Sequence, residues 1–368
     1  MRMHCDNTAT RNRARRRTRT RRRPSWRSST STTTITRTIF AGASHARLGN
    51  TTDVSRARHR TRTRTRPLRR SIASSSASSM AIFAGAAMQK SYQVGAYYFP
   101  NYHVDARNES VHGPGWTEWD LVKRAEPRFP GHQQPKMPLW GCEDEADPKA
   151  MARKIDAAAD HGLDYFIFDW YMYEDGPFLQ RGLDEGYLGA ANNQRVKFCL
   201  MWANHDWTNI HPAKAHAREK HWEASRGYLL YPGKVSPEAF DRIVAHVIGR
   251  YFGHPSYWRI AGCPYFSVYD LTKLIAGFGS LEQTRAGIDR FRAKVRAAGF
   301  PDLHFNAVVW GRTILPGETA PTDPKRVVDA LGFDSITSYV WIHHAGMPHF
   351  PFTEYALVRD RYLAYWDS

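Results

Sequence analysis

From Gln93 onward, apolar runs of six or seven residues alternate with longer stretches whose apolar positions recur every three or four residues. The runs are Gln93–Phe99, Tyr165–Trp170, Lys197–Trp202, Pro264–Tyr269, His304–Trp310 and Asp334–Tyr339. Each is short and apolar at consecutive positions, as a strand covered on both faces should be. The intervening stretches begin with recognisable helix starts. Asp147-Pro148 precedes Lys149–His161, Ser236-Pro237-Glu238 precedes Ala239–Phe252, and Asp323-Pro324 precedes Val327–Leu331. In each, a capping oxygen is followed by a proline whose missing N–H costs nothing in a first turn. Ser280 opens a further helix to about Ala298, closed by Gly299, and Tyr355–Trp366 forms the last.

Strand-helix alternation of this kind predicts an α/β protein with a parallel sheet. A closed barrel needs eight strand-helix units, and this series has roughly six. The competing architecture is a doubly wound open sheet, but no GxGxxG phosphate loop follows the first strand. The expected fold is therefore a parallel β/α (TIM-type) barrel that is incomplete, about six of eight units, spanning residues 91–368.

Before residue 91 the pattern disappears. This tail is built from Arg, Ser and Thr, with TRTRRR at 18–23, RTRTRTR at 60–66 and SIASSSASS at 71–79. It lacks the apolar content to offset backbone ordering entropy, so disorder is expected over 1–90. Three readings of it stand side by side: a transit-like leader, a phosphate-gripping arm, or spurious upstream translation ahead of a start at Met80 or Met88.

Charge changes the picture only by locating it. The whole-chain net charge of +17 would ordinarily point to nucleic acid. Residues 1–90, however, carry 22 Lys and Arg against Asp6 and Asp53, and the remainder carries 30 basic against 33 acidic residues. The globular part is close to neutral, and a nucleic-acid partner is not expected for it. Cys5, Cys142, Cys199 and Cys263 show neither CxxC nor regular spacing, which disfavours a disulfide framework and a zinc site. No apolar run approaches the roughly 18 residues of a membrane span. A cytoplasmic location is expected, with organellar targeting as the alternative if the leader is real.

Candidate chemistry lies where a β/α barrel keeps it, at the C-terminal ends of the strands. Those ends carry Tyr98 with His103 close behind, then Asp169-Trp170-Tyr171, Trp202 with Asn204, Asp206 and Trp207, then Tyr269, Trp310 and Tyr339. The long first loop adds Trp116, Glu118, Trp119 and GHQQP at 131–135. Aromatic faces beside Asp, Asn, Glu or His suit a sugar, whose ring offers C–H faces for stacking and hydroxyls for hydrogen bonds. The plainer alternative is that the aromatic residues fill the barrel mouth as core. His205, His211, His216 and His221 are spaced by six, five and five, which does not place two imidazoles on one helical turn. No metal or other cofactor is expected, and without a GxSxG elbow acyl transfer is disfavoured.

The ordered series YYFPNYH (97–103), WTEW (116–119), GHQQP (131–135), FDWY (168–171), MWANHDWT (201–208), HPSY (254–257) and GCPYFSVYD (262–270) resembles the glycoside hydrolase family 99-like proteins. That group includes WbsX-type glycosyltransferases of polysaccharide clusters. The resemblance implies a β/α barrel acting on glycans, the family proper being retaining endo-acting α-mannosidases and mannanases. It also implies an Asn-Glu-Trp acidic motif on the last barrel strand, and none occurs before Ser368. The expectation is a C-terminally truncated chain, inactive by itself, whose catalytic carboxylates lie beyond Ser368. On this reading Tyr98, His103, Trp116, Glu118, Trp119, Asp169, Trp170, Tyr171, Trp202, Asn204, Asp206, Trp207, Tyr269, Trp310 and Tyr339 bind substrate. An endo-mannosidase-like hydrolase is the leading function. A WbsX-type transferase and an inert or nucleic-acid-binding fragment are the alternatives.

Overall fold

The computed structural model describes residues 92–209, 229–313, 323–348 and 353–367. The tail up to residue 90 lies outside the described residues, as do His211, His216 and His221. In chain order the strands are β1 (Gly95–Tyr98), β2 (Tyr165–Tyr173), β3 (Gly176–Phe178), β4 (Lys197–Trp202), β5 (Trp207–Thr208), β6 (Leu229–Tyr231), β7 (Arg259–Ile260), β8 (Cys263–Val268), β9 (His304–Val308) and β10 (Ser335–Thr337). The helices are α1 (Ala106–His112), α2 (Trp119–Lys123), α3 (Pro148–Asp160), α4 (Pro237–Val247), α5 (Leu271–Phe278), α6 (Leu281–Ala297), α7 (Pro324–Leu331) and α8 (Tyr355–Trp366).

Six strands form one parallel sheet in the order β1-β2-β4-β8-β9-β10. This is the strand series expected from the hydrophobic pattern, curled into an incomplete barrel. Short antiparallel strands β3 and β7 flank β2 and β8, and β5 pairs with β6 separately.

Capping explains where the helices start. Asp147 accepts a hydrogen bond from the Lys149 N–H at 2.9 Å, Ser236 from Ala239 at 3.1 Å and Ser280 from Gln283 at 3.1 Å. In α3 the buried residues Ala150, Met151, Ile155 and Ala158 make the stripe that packs on the sheet. Two pieces escaped the sequence pattern. Helix α5 follows β8 after only two residues, Tyr269 and Asp270; the Asp270 side chain caps it at Lys273, and it ends at Gly279 with φ 88°. Helices α1 and α2 lie in the Gly- and Pro-rich segment after β1, read from sequence as loop.

The sheet has two distinct faces. Across four register pairs, Asp169, Met201, Ser267, Asn306 and Ser335 stand in one row and point to the inside of the curl. Within this interior the Ser267 hydroxyl donates to Asn306 Oδ1 at 2.8 Å, Asn306 Nδ2 donates to Ser335 Oγ at 2.8 Å, and Thr337 donates to Asn306 Oδ1 at 3.1 Å. Thr337 in turn shares a 3.1 Å hydrogen bond with the Tyr97 hydroxyl, so side chains join the two outermost strands, β1 and β10. Gly95 also belongs to this interior. A Cβ there would stand 2.2 Å from the Tyr165 ring, so only glycine lets that ring fill the barrel bottom.

The neighbouring row, Trp170, Trp202 and Val268, points the other way, toward the helices. Trp170 stacks on His246 of α4 at 5.9 Å, and Trp202 meets Phe240 of the same helix at 5.9 Å. Both tryptophans belong to the sheet-helix core. Among the described residues no helix is long and apolar enough to cross a membrane.

Candidate functional site

The C-terminal ends of β1, β2, β4, β8 and β10 surround a cavity of about 200 Å³. Its walls are Phe99, Asp169, Tyr171, Met201, Ala203, His205, Asp206, Trp207, Thr208, Tyr269 and Tyr339. Strand parity explains the set. Asp169 and Tyr171 are two apart on β2, Met201 and Ala203 are two apart at the end of β4, and all four project into the curl.

Asp169 forms the carboxyl of this cavity. It is 2 % exposed, and its Oδ2 accepts a 2.6 Å hydrogen bond from the Tyr339 hydroxyl. Its Oδ1 has no hydrogen-bond partner among the described residues. Burial pushes its pKa up to about 7, against the opposing effect of the Tyr339 bond. Around it, Tyr339 meets Tyr97 edge-on at 4.8 Å and Tyr269 edge-on at 5.2 Å. Trp207 stands edge-on to Tyr171 at 5.5 Å.

Asp206 plays a different part. Its Oδ2 accepts from Lys273 Nζ at 2.6 Å and its Oδ1 from the Gly233 N–H at 2.9 Å. This carboxylate thus ties the segment after β4 to α5 and to the turn after β6, while its side chain still contributes to the cavity wall.

Of the residues expected from sequence, the structure brings Asp169, Tyr171, Asp206, Trp207, Tyr269 and Tyr339 together on the cavity. Trp310 adjoins it, its ring 4.7 Å from that of Tyr269 and 5.4 Å from that of His343. The others lie elsewhere. Trp170 and Trp202 face α4, as described above. Tyr98 also points to the helix side, where its hydroxyl donates to Glu145 at 2.5 Å. Asn204 is consumed by backbone: its amide donates to the Asp270 carbonyl at 2.8 Å and accepts from the Asp270 N–H at 2.7 Å. His103 is buried against Gly182, and burial lowers its pKa.

The first-loop residues form a second cluster. Trp116 stacks on His112 at 4.1 Å, and Trp119 stacks on Tyr102 at 4.0 Å while its indole N–H donates to the Glu143 carbonyl at 2.7 Å. Glu118 is held up to about 7 by burial, with an Asn101 hydrogen bond opposing the shift and the charge of Glu145 adding to it. Its charge also helps raise the Tyr171 phenol, which connects this cluster to the cavity wall. Phe99, Met201, Ala203, His205 and Thr208 also line the cavity and are not among the binding residues expected from sequence. Counting alternate residues from Asp169 and across to β4 was the signal that identifies Met201 and Ala203.

The raised Asp169 carboxyl links stability to pH. An acid whose folded pKa exceeds its unfolded value contributes stability that is fully present below the unfolded pKa, near 4, and is lost as pH rises through the folded value, near 7. The difference between these two values corresponds to on the order of 4 kcal/mol. Asp169→Asn is therefore expected to match the parent in stability at pH 4 within about 1 kcal/mol and to exceed it at pH 8. Paired denaturant titrations at the two pH values check this, and an equal difference at both would remove the perturbed carboxyl from the account.

Residues 94–319 match the family model described as Glycosyltransferase WbsX, and the chain belongs to that family, a carbohydrate-active one. Two curated relatives, each named uncharacterized protein WxcX and drawn from two strains of Xanthomonas campestris pv. campestris, are 30% identical over 175 residues. That match covers 47% of this chain, and the chain spans 23% of the length of these relatives. Among solved structures, the GH99 endo-alpha-mannosidase from Bacteroides thetaiotaomicron in complex with BIS-TRIS-Propane is similar at 14% identity and a TM-score of 0.39, over 68% of this chain and 60% of that one. A glycoside hydrolase-like protein is similar at 16% identity and a TM-score of 0.43, over 74% of this chain and 64% of that one.

Proposed function

We propose that the chain binds a glycan in the cavity at the C-terminal ends of its strands, as part of a glycoside hydrolase of the endo-mannosidase type. The observation that carries this reading is the composition of the cavity wall. Phe99, Tyr171, Trp207, Tyr269 and Tyr339 supply ring faces, Asp169, Asp206 and His205 supply polar groups, and no Arg or Lys is among the described lining residues. Ring faces suit sugar C–H surfaces, and carboxylates accept from hydroxyls. A nucleotide diphosphate would find no cation among the described lining residues to pair with, because the nearby Lys273 is already taken by Asp206.

Retaining hydrolysis ordinarily needs an acid/base carboxyl and a second, nucleophilic one about 5 Å away. The resemblance to family 99 adds a route in which the second carboxylate assists attack by the sugar's own 2-hydroxyl. Asp169, Asp206 and Glu118 are assigned to hydroxyl binding and not to bond cleavage. The family description favours a second reading, a glycosyltransferase. Calorimetric titration with manno-oligosaccharides and, separately, with nucleotide-sugars tests the two. Binding of the oligosaccharides alone is the expected result, and tight nucleotide-sugar binding sinks the hydrolase reading.

A further inference from the structure

Asp169 combines features that a purely structural acid would not need. It stands on the cavity wall, its backbone sits in the interior row of the sheet, and only one of its two oxygens is occupied, by Tyr339. The second oxygen is buried and has no partner among the described residues. A buried carboxyl with one unfilled acceptor in a ring-lined cavity is an incomplete arrangement, because such oxygens ordinarily find donors.

We propose that Asp169 is the hydroxyl-reading residue of the cavity. A ring hydroxyl of a neutral sugar completes its second oxygen, the carboxylate form is the one that binds, and binding therefore expels a proton from the site. Tyr339 is a positioning residue that holds the carboxyl in place and favours its ionised form. The inference rests on the glycan reading above and adds to it the charge state of the contact and the class of sugar accepted.

The surroundings support the coupling. The groups that face Asp169 are neutral phenols: Tyr97 on β1, Tyr171 on its own strand β2, Tyr269 at the end of β8 and Tyr339 beyond β10. On the β4 side stand Met201, Ala203, His205 and Asp206, the last already paired with Lys273. Glu118 lies behind Tyr171. With no cation among the described lining residues, burial holds the carboxyl protonated to about neutral pH. A hydrogen bond to an ionised acceptor is roughly twice as strong as one between neutral groups, so an incoming hydroxyl favours the carboxylate. A hexuronate, by contrast, would bring a second anion beside Asp169 and Asp206.

The test is calorimetry on the full chain, with a neutral manno-oligosaccharide and a hexuronate oligosaccharide of equal length, from pH 5.5 to 8.5. Runs in buffers of different ionisation enthalpy report the proton released. The expected result is affinity for the neutral sugar that rises about tenfold across this range, with proton release near pH 7 and weaker binding of the hexuronate. Asp169→Asn should lose both the rise and the proton release. Tyr339→Phe should keep the rise but move it to higher pH, because the donor that favours the carboxylate is gone. A flat profile, a rise that survives Asp169→Asn, or hexuronate bound as well as the neutral sugar at pH 8 overturns the inference while leaving glycan binding intact. Failure of the parent chain to bind either sugar at any pH overturns the glycan reading as well.

Discussion

Trp202→Ala is expected to destabilise the fold by about 3–5 kcal/mol while leaving the glycan affinity of the remaining folded protein unchanged. The indole is buried between β4 and α4, 5.9 Å from Phe240, and its N–H donates to the Met172 carbonyl at 3.0 Å. Truncation would remove that bond and open a void in the largest packed cluster of the molecule. Trp207→Ala is the matched comparison. Its ring lines the cavity, so the change should weaken oligosaccharide binding by about 1–3 kcal/mol through lost stacking area, with the smaller stability loss of the two. Urea midpoints and calorimetric affinities on both variants check the contrast. Loss of affinity in the Trp202 variant, with its fold intact, would return that residue to the site.

Glu145→Ala should be comparably damaging, at about 3–5 kcal/mol. One carboxylate gathers the Lys154 ammonium at 2.7 Å, the Tyr98 hydroxyl at 2.5 Å and the Tyr102 N–H at 3.0 Å. Alanine leaves a largely buried lysine with the Tyr98 hydroxyl but no counter-charge, and releases the segment that leads from β1 to Glu118 and Trp119. Pairing the change with Lys154→Met should recover much of the loss, because the stranded charge is then gone. A single-variant loss below about 1 kcal/mol would show the cluster to be solvated and weak.

The six strands of the parallel sheet were legible because each is an apolar run of the right length, and helices α3, α4, α6 and α7 because a capping Asp or Ser with a following Pro or Glu announces them. The same apolar runs concealed which way the side chains point. In β2, Phe168, Asp169, Trp170 and Tyr171 are all buried, so hydropathy does not separate the cavity side from the helix side, and Trp170 read as well as Tyr171. The parity of Asp169 and Tyr171 resolves it, once the interior row is known. Asn204 failed for another reason. An amide beside aromatic residues suits a sugar site, but here both of its ends are taken by the Asp270 backbone, a pairing across 66 residues that no local pattern announces. Helices α1 and α2 were hidden by the Gly and Pro around them. Helix α5 was hidden because only two residues separate it from the preceding strand.

The outermost strands β1 and β10 share no backbone ladder, and their link runs through Tyr97, Thr337 and Asn306. Side chains therefore span the gap between these strands, through the Tyr97–Thr337 hydrogen bond and the Tyr97–Tyr339 ring contact. Two residues beyond Thr337 stands Tyr339, whose own hydroxyl fixes Asp169. Loosening the Tyr97–Thr337 contact would let Tyr339 retreat from the carboxyl and raise its proton affinity, so a hydroxyl on the far edge of the sheet would retune the acidity of Asp169.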